Sequence, residues 1–269
     1  MAKKTSYMSD NQEVREMTEE IQSIGMKHGV STVFNDFLLM SAYAISNVFD
    51  KVHYEEREKE YLRVVKKYSK EDLNKMADLH AKLVCALEKT MYNKDLLGEL
   101  FASLNQGNSS NGQFFTPMHI SVLMAKMLLQ KTIEDVETKG YITISEPTLG
   151  SGGMVIAAAN VLKEEGYNPT SSMCVCAVDI DIRCAMMTYI QLSYLGIPAV
   201  VVHGDTLYAK EFTRFYTPAY ILNNWIWREQ MSITDTTCLD DEKLKCMLEP
   251  VYAIMKYGFG EEKTTNEQS

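Results

Sequence analysis

The stretch Glu146-Pro147-Thr148-Leu149-Gly150-Ser151-Gly152-Gly153 lies between a short β-rich run at 141–145 and a helical run at 154–165. Glycines at such a junction let the backbone take positive φ angles and approach a ligand closely. The free N–H groups at the start of the following helix favour a carboxylate or a phosphate. We call residues 146–153 the glycine loop and predict that it binds a nucleotide or a cofactor; the alternative is a tight strand-to-helix turn without a ligand.

Two common phosphate-binding patterns do not fit the glycine loop. No Gly-Lys-Ser or Gly-Lys-Thr follows it, which excludes a P-loop. A dinucleotide fingerprint requires a further glycine at position 155, where the sequence has Val155. The sequence therefore gives little support to an NAD site.

Strands and helices alternate after the glycine loop. An apolar strand is predicted at 173–178, a helix at 182–195 closed by Gly196, and a further strand at 199–202. Strands that alternate with helices of this length predict βαβ units and a parallel sheet. Ligands of such open sheets bind at the carboxyl ends of the strands.

Acidic residues stand where two of these strands end. Asp179 follows the strand at 173–178, and a carboxylate at that position can hold the two hydroxyls of a ribose. Asp181 is better interpreted as the N-cap of the next helix. Asp205 follows the strand at 199–202 and is placed to accept from an adenine amino group. Each acid alone could be only a turn or cap residue, but their order along the sheet favours a cofactor site.

The chain before the glycine loop is predicted to be helical over 11–104, because apolar residues recur there every three or four positions without proline. A polar, glycine-bounded break at 106–112 separates this part from the rest. We predict a helical N-terminal domain at 1–105, a cofactor-binding α/β domain at 106–235 and a C-terminal segment at 236–269, disordered over 258–269. One apolar helical face is formed by Ile120, Leu123, Met124, Met127 and Leu128.

Composition sets further limits. The net charge of −9 argues against a free-standing DNA-binding protein, since phosphate contacts need clustered Lys and Arg. The nearest basic run comprises Arg63, Lys66, Lys67, Lys70 and Lys75, which is either a solvated helix face or a phosphate contact.

The cysteines and histidines are scattered, so no metal site is expected; Cys174 and Cys176 fit core packing on one face of a strand better than metal ligation. No run of 18 apolar residues and no signal peptide is present, and a cytoplasmic protein is expected.

The segment Gly112-Gln113-Phe114-Phe115-Thr116-Pro117 makes the sequence similar to a known family. Together with the glycine loop, Asp179 and Gly204-Asp205-Thr206-Leu207, it resembles the N6-adenine DNA methyltransferases related to modification subunits of type I restriction systems, including short phage and mobile-element forms. The resemblance implies a Rossmann-like fold that binds S-adenosylmethionine, with residues 113–117 at its methionine end. Glu146 stands where the family usually has Asp.

The cofactor-binding residues implied by the resemblance are Gln113, Phe114, Phe115, Thr116, Pro117, Glu146, Thr148, Gly150, Ser151, Gly152, Gly153, Asp179, Ile180, Asp205 and Thr206.

The catalytic motif of the family, Asn-Pro-Pro-Phe or Asn-Pro-Pro-Tyr after a fourth strand, is altered here. The candidate strand 219–222 runs into Asn223-Asn224-Trp225-Ile226-Trp227. By resemblance, Asn223 or Asn224 accepts the N6 protons of a flipped adenine and Trp225 stacks on the base. The two prolines that rigidify the turn are missing, and ordinary packing is the alternative role for both tryptophans.

The expected function is therefore adenine-N6 methylation of DNA, in a restriction-modification or mobile-element system. The alternatives are a catalytically degenerate cofactor-binding or partner subunit, and methyl transfer to a protein or small molecule on the same fold. The stretch after the motif is too short for a separate target-recognition domain, so sequence specificity is expected from the helical domain or from a partner such as a specificity subunit. DNA binding by the chain alone is expected to be weak.

Overall fold

A four-stranded sheet forms the centre of the second part of the chain. Its strands are β1 (Ile142–Glu146), β2 (Met173–Asp179), β3 (Ala199–Asp205) and β4 (Lys210–Tyr216). The computed structural model describes residues 9–104, 115–130 and 132–225 and gives the strand order β1-β2-β3-β4. The first three strands are parallel, which confirms the predicted parallel sheet, and β4 pairs antiparallel with β3. The strand β4 was not predicted.

Helices connect and flank the strands. They are α6 (Met118–Leu129), α7 (Ile133–Lys139), α8 (Gly153–Glu164), α9 (Pro169–Ser172), α10 (Ile182–Tyr194) and α11 (Pro218–Leu222). The helices α8 and α10 make the two parallel crossovers, and right-handed crossovers in a sheet of this order place both helices on the same face. The result is the set of βαβ units that the alternation predicted, in the Rossmann-like α/β fold that the family resemblance implied.

The chain before the sheet is helical, as predicted for 11–104. It forms α1 (Gln12–His28), α2 (Val30–Phe49), α3 (Tyr54–Val65), α4 (Lys70–Thr90), a 3-10 turn (Met91–Asn93) and α5 (Leu96–Ser103). Its apolar side chains form one continuous core with α8, α10 and the covered face of the sheet, for example Phe34, Leu83, Ile190 and Phe215. The helical part is therefore packed on the sheet layer. The boundary predicted at residue 105 lies next to residues outside the described ranges and stays a prediction.

The apolar face predicted on α6 is present but does not pack into the described core. Its five residues, 120, 123, 124, 127 and 128, are between 40% and 70% exposed. The helix instead packs on α8 with the opposite side, which carries Ser121, Ala125 and Leu129. Small residues at two of these positions let the two helices approach closely.

The strand predicted at 219–222 is wrong, because Pro218–Leu222 is the helix α11. The side chain of Thr217 caps this helix by accepting from the N–H of Tyr220, and Pro218 occupies the first helical position. Both are helix-start signals, and they outweigh a short apolar run that fits either structure.

None of the helices in the described ranges is both long and apolar enough to cross a membrane.

Candidate functional site

The carboxyl ends of three parallel strands lie at one edge of the sheet. Glu146 ends β1 and is in register with Ala177, while Asp179 ends β2 and is in register with His203. Asp205 ends β3. The glycine loop leaves β1 at this edge and enters α8 at Gly153. The sequence-predicted arrangement of a loop and two strand-end acids at one edge is therefore present, and we call it the carboxyl edge.

The glycine loop is hydrogen-bonded to the end of β2. The N–H of Gly150 donates to Asp179 Oδ2 at 2.9 Å, and the N–H of Leu149 donates to the carbonyl of Val178 at 3.1 Å. The other oxygen of Asp179 accepts from the N–H of Asp181 at 2.8 Å. Burial raises the pKa of Asp179 and these backbone N–H groups act in the opposite direction. The carboxylate is thus held in a fixed position.

Two glycines of the loop cannot be replaced without strain. Gly150 has φ +57°, and a Cβ there would lie 3.1 Å from the ring of Phe115. Gly152 has φ +96°, and a Cβ there would lie 3.0 Å from Thr188 Oγ1. Both positive φ values favour glycine. The loop therefore needs glycine for its backbone angles and for close contacts.

Phe115 brings the predicted Phe-Thr-Pro segment to the glycine loop. Its ring contacts Gly150 as described, and its centroid lies 5.1 Å from that of Phe101 on α5. Thr116 and Pro117 follow and are exposed. Gln113 and Phe114 lie outside the described residues.

The remaining predicted cofactor residues surround the same edge. Glu146 Oε1 accepts from the N–H of Thr148 at 3.2 Å, and the Thr206 hydroxyl donates to the carbonyl of Pro147 at 2.7 Å. Asp205 accepts from the N–H groups of residues 207 and 208 and so shapes the turn after β3.

Ile180 is 63% exposed and offers an apolar surface at this edge. Asp181 caps α10, as predicted.

A buried polar cluster below the glycine loop was not predicted. Asp95 is 8% exposed and accepts from the N–H of Gly98 and from Gln191 Nε2, both at 2.9 Å. It also accepts from the hydroxyl of Ser151, and Gln191 donates to the Ser151 carbonyl at 2.8 Å. Burial raises the pKa of Asp95, against the effect of its hydrogen bonds. Asp95, at the start of α5, thus links the helical part of the chain to the glycine loop.

The cluster determines which part of the predicted cofactor residue Ser151 faces the site. The side chain of Ser151 is turned toward Asp95, and the residue is only 1% exposed, so in this arrangement its backbone is the part that can meet a cofactor. Asp95 stands directly before the apolar run of α5, and an Asp at that position is an N-cap signal that the sequence does contain. The contact with Gln191, 96 residues away, needs the fold.

The predicted catalytic residues lie at the opposite edge of the sheet. Asn223 Nδ2 donates to the carbonyl of Thr170, which lies just before β2 begins. Trp225 is fully buried and packs edge-on against Tyr141, with ring centroids 5.0 Å apart, next to the start of β1. The seven residues of β2 span roughly 20 Å between the two edges.

The structure therefore does not bring residues 223–225 to the glycine loop. The predicted base-presenting role of Asn223, Asn224 and Trp225 is not met in this arrangement, because the antiparallel β4 returns the chain to the amino edge before the turn forms. Trp225 has the packing role that was the alternative; Trp227 lies outside the described residues.

The predicted basic run is largely neutralised. Three of its five members form ion pairs: Arg63 with Glu60, Lys67 with Asp36, and Lys75 with Glu71. A cavity of about 940 Å³ lies nearby, between α3 and β4, and both cationic and anionic side chains line it. It contains none of the glycine-loop residues, so we place the candidate site at the carboxyl edge, where the loop and acids converge. No group of His, Cys, Asp or Glu arranged for a metal ion occurs within the described ranges.

Comparison with known proteins gives one family match. The model of the N-6 DNA Methylase family matches residues 92–255. A Listeria monocytogenes protein assigned to the class I S-adenosylmethionine-dependent methyltransferases aligns at 15% identity and a TM-score of 0.39, over 73% of this chain and 55% of that one. A type I restriction-modification methyltransferase subunit from Streptococcus thermophilus aligns at 13% identity and a TM-score of 0.34, over 70% and 55%. The aligned parts are about half of those two proteins. No curated protein matches the sequence.

Proposed function

The chain belongs to the N-6 DNA methylase family, and we propose that it binds S-adenosylmethionine at the carboxyl edge as a subunit for methyl transfer to adenine N6 in DNA. The observation that carries this proposal is the convergence of the glycine loop, Asp179, Asp205 and Phe115 at the ends of three parallel strands. A match over more than half of the chain supports the reaction class.

The groups at the carboxyl edge fit this cofactor. The first N–H groups of α8, which begins at Gly153, have no acceptor within the helix and suit a carboxylate. Asp179 uses its two oxygens for two backbone donors, and a carboxylate has about four acceptor sites, so it can still accept from a ribose hydroxyl. Ile180 and Asp205 offer an apolar face and a carboxylate for an adenine. Bound S-adenosylmethionine supplies an electrophilic methyl group.

The described residues do not supply the other half of the reaction. An adenine amino group must be held in line with the methyl group, and such positioning accounts for much of the rate of a transfer of this kind. Asn223 and Trp225 are at the far edge of the sheet. We therefore propose that the groups presenting the base come from outside the described residues, either from 226–269 or from a second chain such as a specificity subunit.

A second candidate function is a cofactor-binding partner subunit without chemistry of its own. The burial of Trp225 and the neutralised basic run favour it. The two candidates differ in what happens when the complete assembly is present.

The experiment that separates them is transfer of labelled methyl from S-adenosylmethionine to adenine-containing DNA. It is run on the purified chain and on any complex that co-purifies with it, with cofactor affinity measured alongside. We expect slow or absent turnover by the chain alone and turnover by the complex that is lost in Asp179→Ala. Turnover by the complex that survives Asp179→Ala would mean that the cofactor is held elsewhere.

A further inference from the structure

Two side chains of α10 hold the backbone of the glycine loop. Thr188 Oγ1 donates to the carbonyl of Gly150 at 3.1 Å, and Gln191 Nε2 donates to the carbonyl of Ser151 at 2.8 Å. The two side chains are three positions apart on α10, so they lie on one side of the helix, and both are fully buried. They therefore determine the direction in which two consecutive loop carbonyls point.

The direction of these carbonyls also fixes the N–H groups of the loop. No cis peptide bond occurs among the described residues, and in a planar trans peptide the C=O and N–H groups point in opposite directions. The N–H of Ser151 belongs to the peptide whose carbonyl faces Thr188, so it is directed away from α10. The helix α10 thus orients the two peptide groups that lead into Gly152, the N-cap residue of α8.

Gln191 also contacts the helical part of the chain. Its Nε2 donates to Asp95 Oδ1 at 2.9 Å, and its Oε1 accepts from the N–H of Leu97 at 3.2 Å. Leu97 is in the first turn of α5, where N–H groups have no acceptor within the helix. The amide orientation is fixed by these partners, because a flipped amide would place its oxygen against two acceptors, Asp95 and the Ser151 carbonyl. One side chain thus holds the start of α5 and the glycine loop together.

The start of α5 and the glycine loop are in direct contact at Gly98. A Cβ on Gly98 would lie 2.6 Å from Ser151 Oγ, which is closer than a real Cβ approaches a neighbouring atom. The hydroxyl of Ser151 donates to Asp95 at the same junction. Because the junction is closely packed, a displacement of α5 must either break these hydrogen bonds or move the loop with it.

We propose that Gln191 is a positioning residue for S-adenosylmethionine, and that through it the affinity for the cofactor depends on how α5 is docked. Its buried side chain acts through the backbone of Ser151 rather than by touching the cofactor. Linkage makes the effect reciprocal, so bound cofactor stabilises the first turn of α5. Any change that displaces α5 weakens cofactor binding. The inference rests on the cofactor site proposed above.

The first test compares cofactor affinity with stability. Gln191→Met removes the amide but keeps an unbranched side chain of similar length. Tyr68→Phe, which removes a buried hydrogen bond to Asp36 elsewhere in the helical part, is the control. Calorimetry with S-adenosylmethionine is run under conditions in which urea unfolding shows each variant to be folded. We expect at least about fivefold weaker binding by Gln191→Met and wild-type affinity in Tyr68→Phe.

A second variant covers the case in which Gln191→Met does not fold. Gln191→Asn keeps an amide that is one methylene shorter and cannot reach both Asp95 and the Ser151 carbonyl. It should therefore also weaken cofactor binding at least about fivefold.

Hydrogen exchange gives a readout that a purely structural role would not change. Exchange in the full chain is followed at the N–H groups of Leu97 and Gly98, which donate to Gln191 and Asp95. Saturating S-adenosylmethionine should slow exchange at both at least about fivefold in wild type, and much less in Gln191→Met. The N–H of Asp72, at the start of α4, is the control and should not respond.

Wild-type protein that does not bind S-adenosylmethionine would overturn both this inference and the proposed function. Three results would overturn the positioning role alone. They are wild-type affinity in the folded Gln191 variants, equal losses of affinity in Gln191→Met and Tyr68→Phe, and cofactor binding by wild type that leaves exchange at Leu97 and Gly98 unchanged.

Discussion

The N–H of Gly150 donates to the carboxylate of Asp179 at 2.9 Å, joining the loop after the first strand to the end of the second. The loop glycine and the acid are 29 residues apart in sequence. The bond places the predicted ribose-binding carboxylate directly beside the predicted cofactor loop. It also means that a change in either residue should alter the position of the other.

The close contact of Gly150 with Phe115 predicts a specific loss. Gly150→Ala adds a Cβ 3.1 Å from the Phe115 ring at a positive φ, so we expect weaker S-adenosylmethionine binding in calorimetry together with lower stability. Gly140→Ala is the matched control, since Gly140 also has positive φ but its added Cβ meets nothing within 4 Å. The control should show only the backbone strain of about 1–2 kcal/mol. Equal effects on cofactor affinity would argue against a role for the loop.

Removing the buried carboxylate of Asp95 should destabilise the fold and loosen the glycine loop. Asp95→Ala leaves Gly98 N–H and Gln191 Nε2 without their acceptor, and each buried group left unpaired costs about 1–3 kcal/mol. Urea unfolding measures the loss, and Asp78→Ala, an exposed position on α4, is the control. An unfolding free energy equal to that of the control would contradict the claim that the hydrogen bonds of Asp95 stabilise the fold.

The carboxyl group of Asp95 should also make the stability of the protein depend on pH. Because the pKa of Asp95 is raised in the folded state, the cost of its buried charge is present at pH above that value and is relieved as the pH falls through it. The stability of Asp95→Asn relative to wild type should therefore improve as the pH rises. A difference that is constant with pH would mean that Asp95 does not titrate differently in the two states.

The location of residues 223–225 predicts a structural effect. Trp225→Ala removes a fully buried ring and should cost about 3–5 kcal/mol of unfolding free energy, while Asn223→Ala should cost far less. In the folded variants, cofactor affinity should be unchanged, because these residues lie at the other edge of the sheet. Loss of methyl transfer in Asn223→Ala or Asn224→Ala with full stability would instead assign them the base-presenting role that the sequence suggested.

The charge distribution predicts weak DNA binding by the isolated chain. The net charge of −9 repels phosphates, and three of the five members of the basic run are already paired with carboxylates. We expect low affinity that falls steeply as salt is raised. Fluorescence anisotropy with labelled duplexes of different sequence tests this. Tight, sequence-specific binding at physiological salt would show a recognition surface in the chain itself.

Local signals in the sequence predicted the sheet and the cofactor edge. Around Gly150, a strand, a glycine cluster and a helix start follow one another directly. Asp179 ends an apolar run. Both features can therefore be predicted from a few neighbouring residues. The helix α11 was predicted as a strand because the four-residue apolar run 219–222 fits either structure, and only Thr217 and Pro218 before it indicate a helix.

The packing side of α6 and the position of residues 223–225 depend on contacts between distant parts of the chain, which local sequence patterns do not show. The spacing of apolar residues in α6 established a helix, but it could not show that Ser121 and Ala125 would face α8. The antiparallel course of β4 moved residues 223–225 to the far edge, and no pattern within the motif carries that information.

The most direct test of the central claim is calorimetric titration of the full chain with S-adenosylmethionine and its demethylated product, on wild type, Asp179→Ala and Asp181→Asn. Asn is as good an N-cap as Asp, so the second variant keeps α10 intact. We predict micromolar-range binding by wild type and by Asp181→Asn, and a loss of about 1–3 kcal/mol in Asp179→Ala, about 5- to 150-fold in affinity. No heat with either compound well above that range, or unchanged affinity in Asp179→Ala, would contradict a cofactor site at the carboxyl edge.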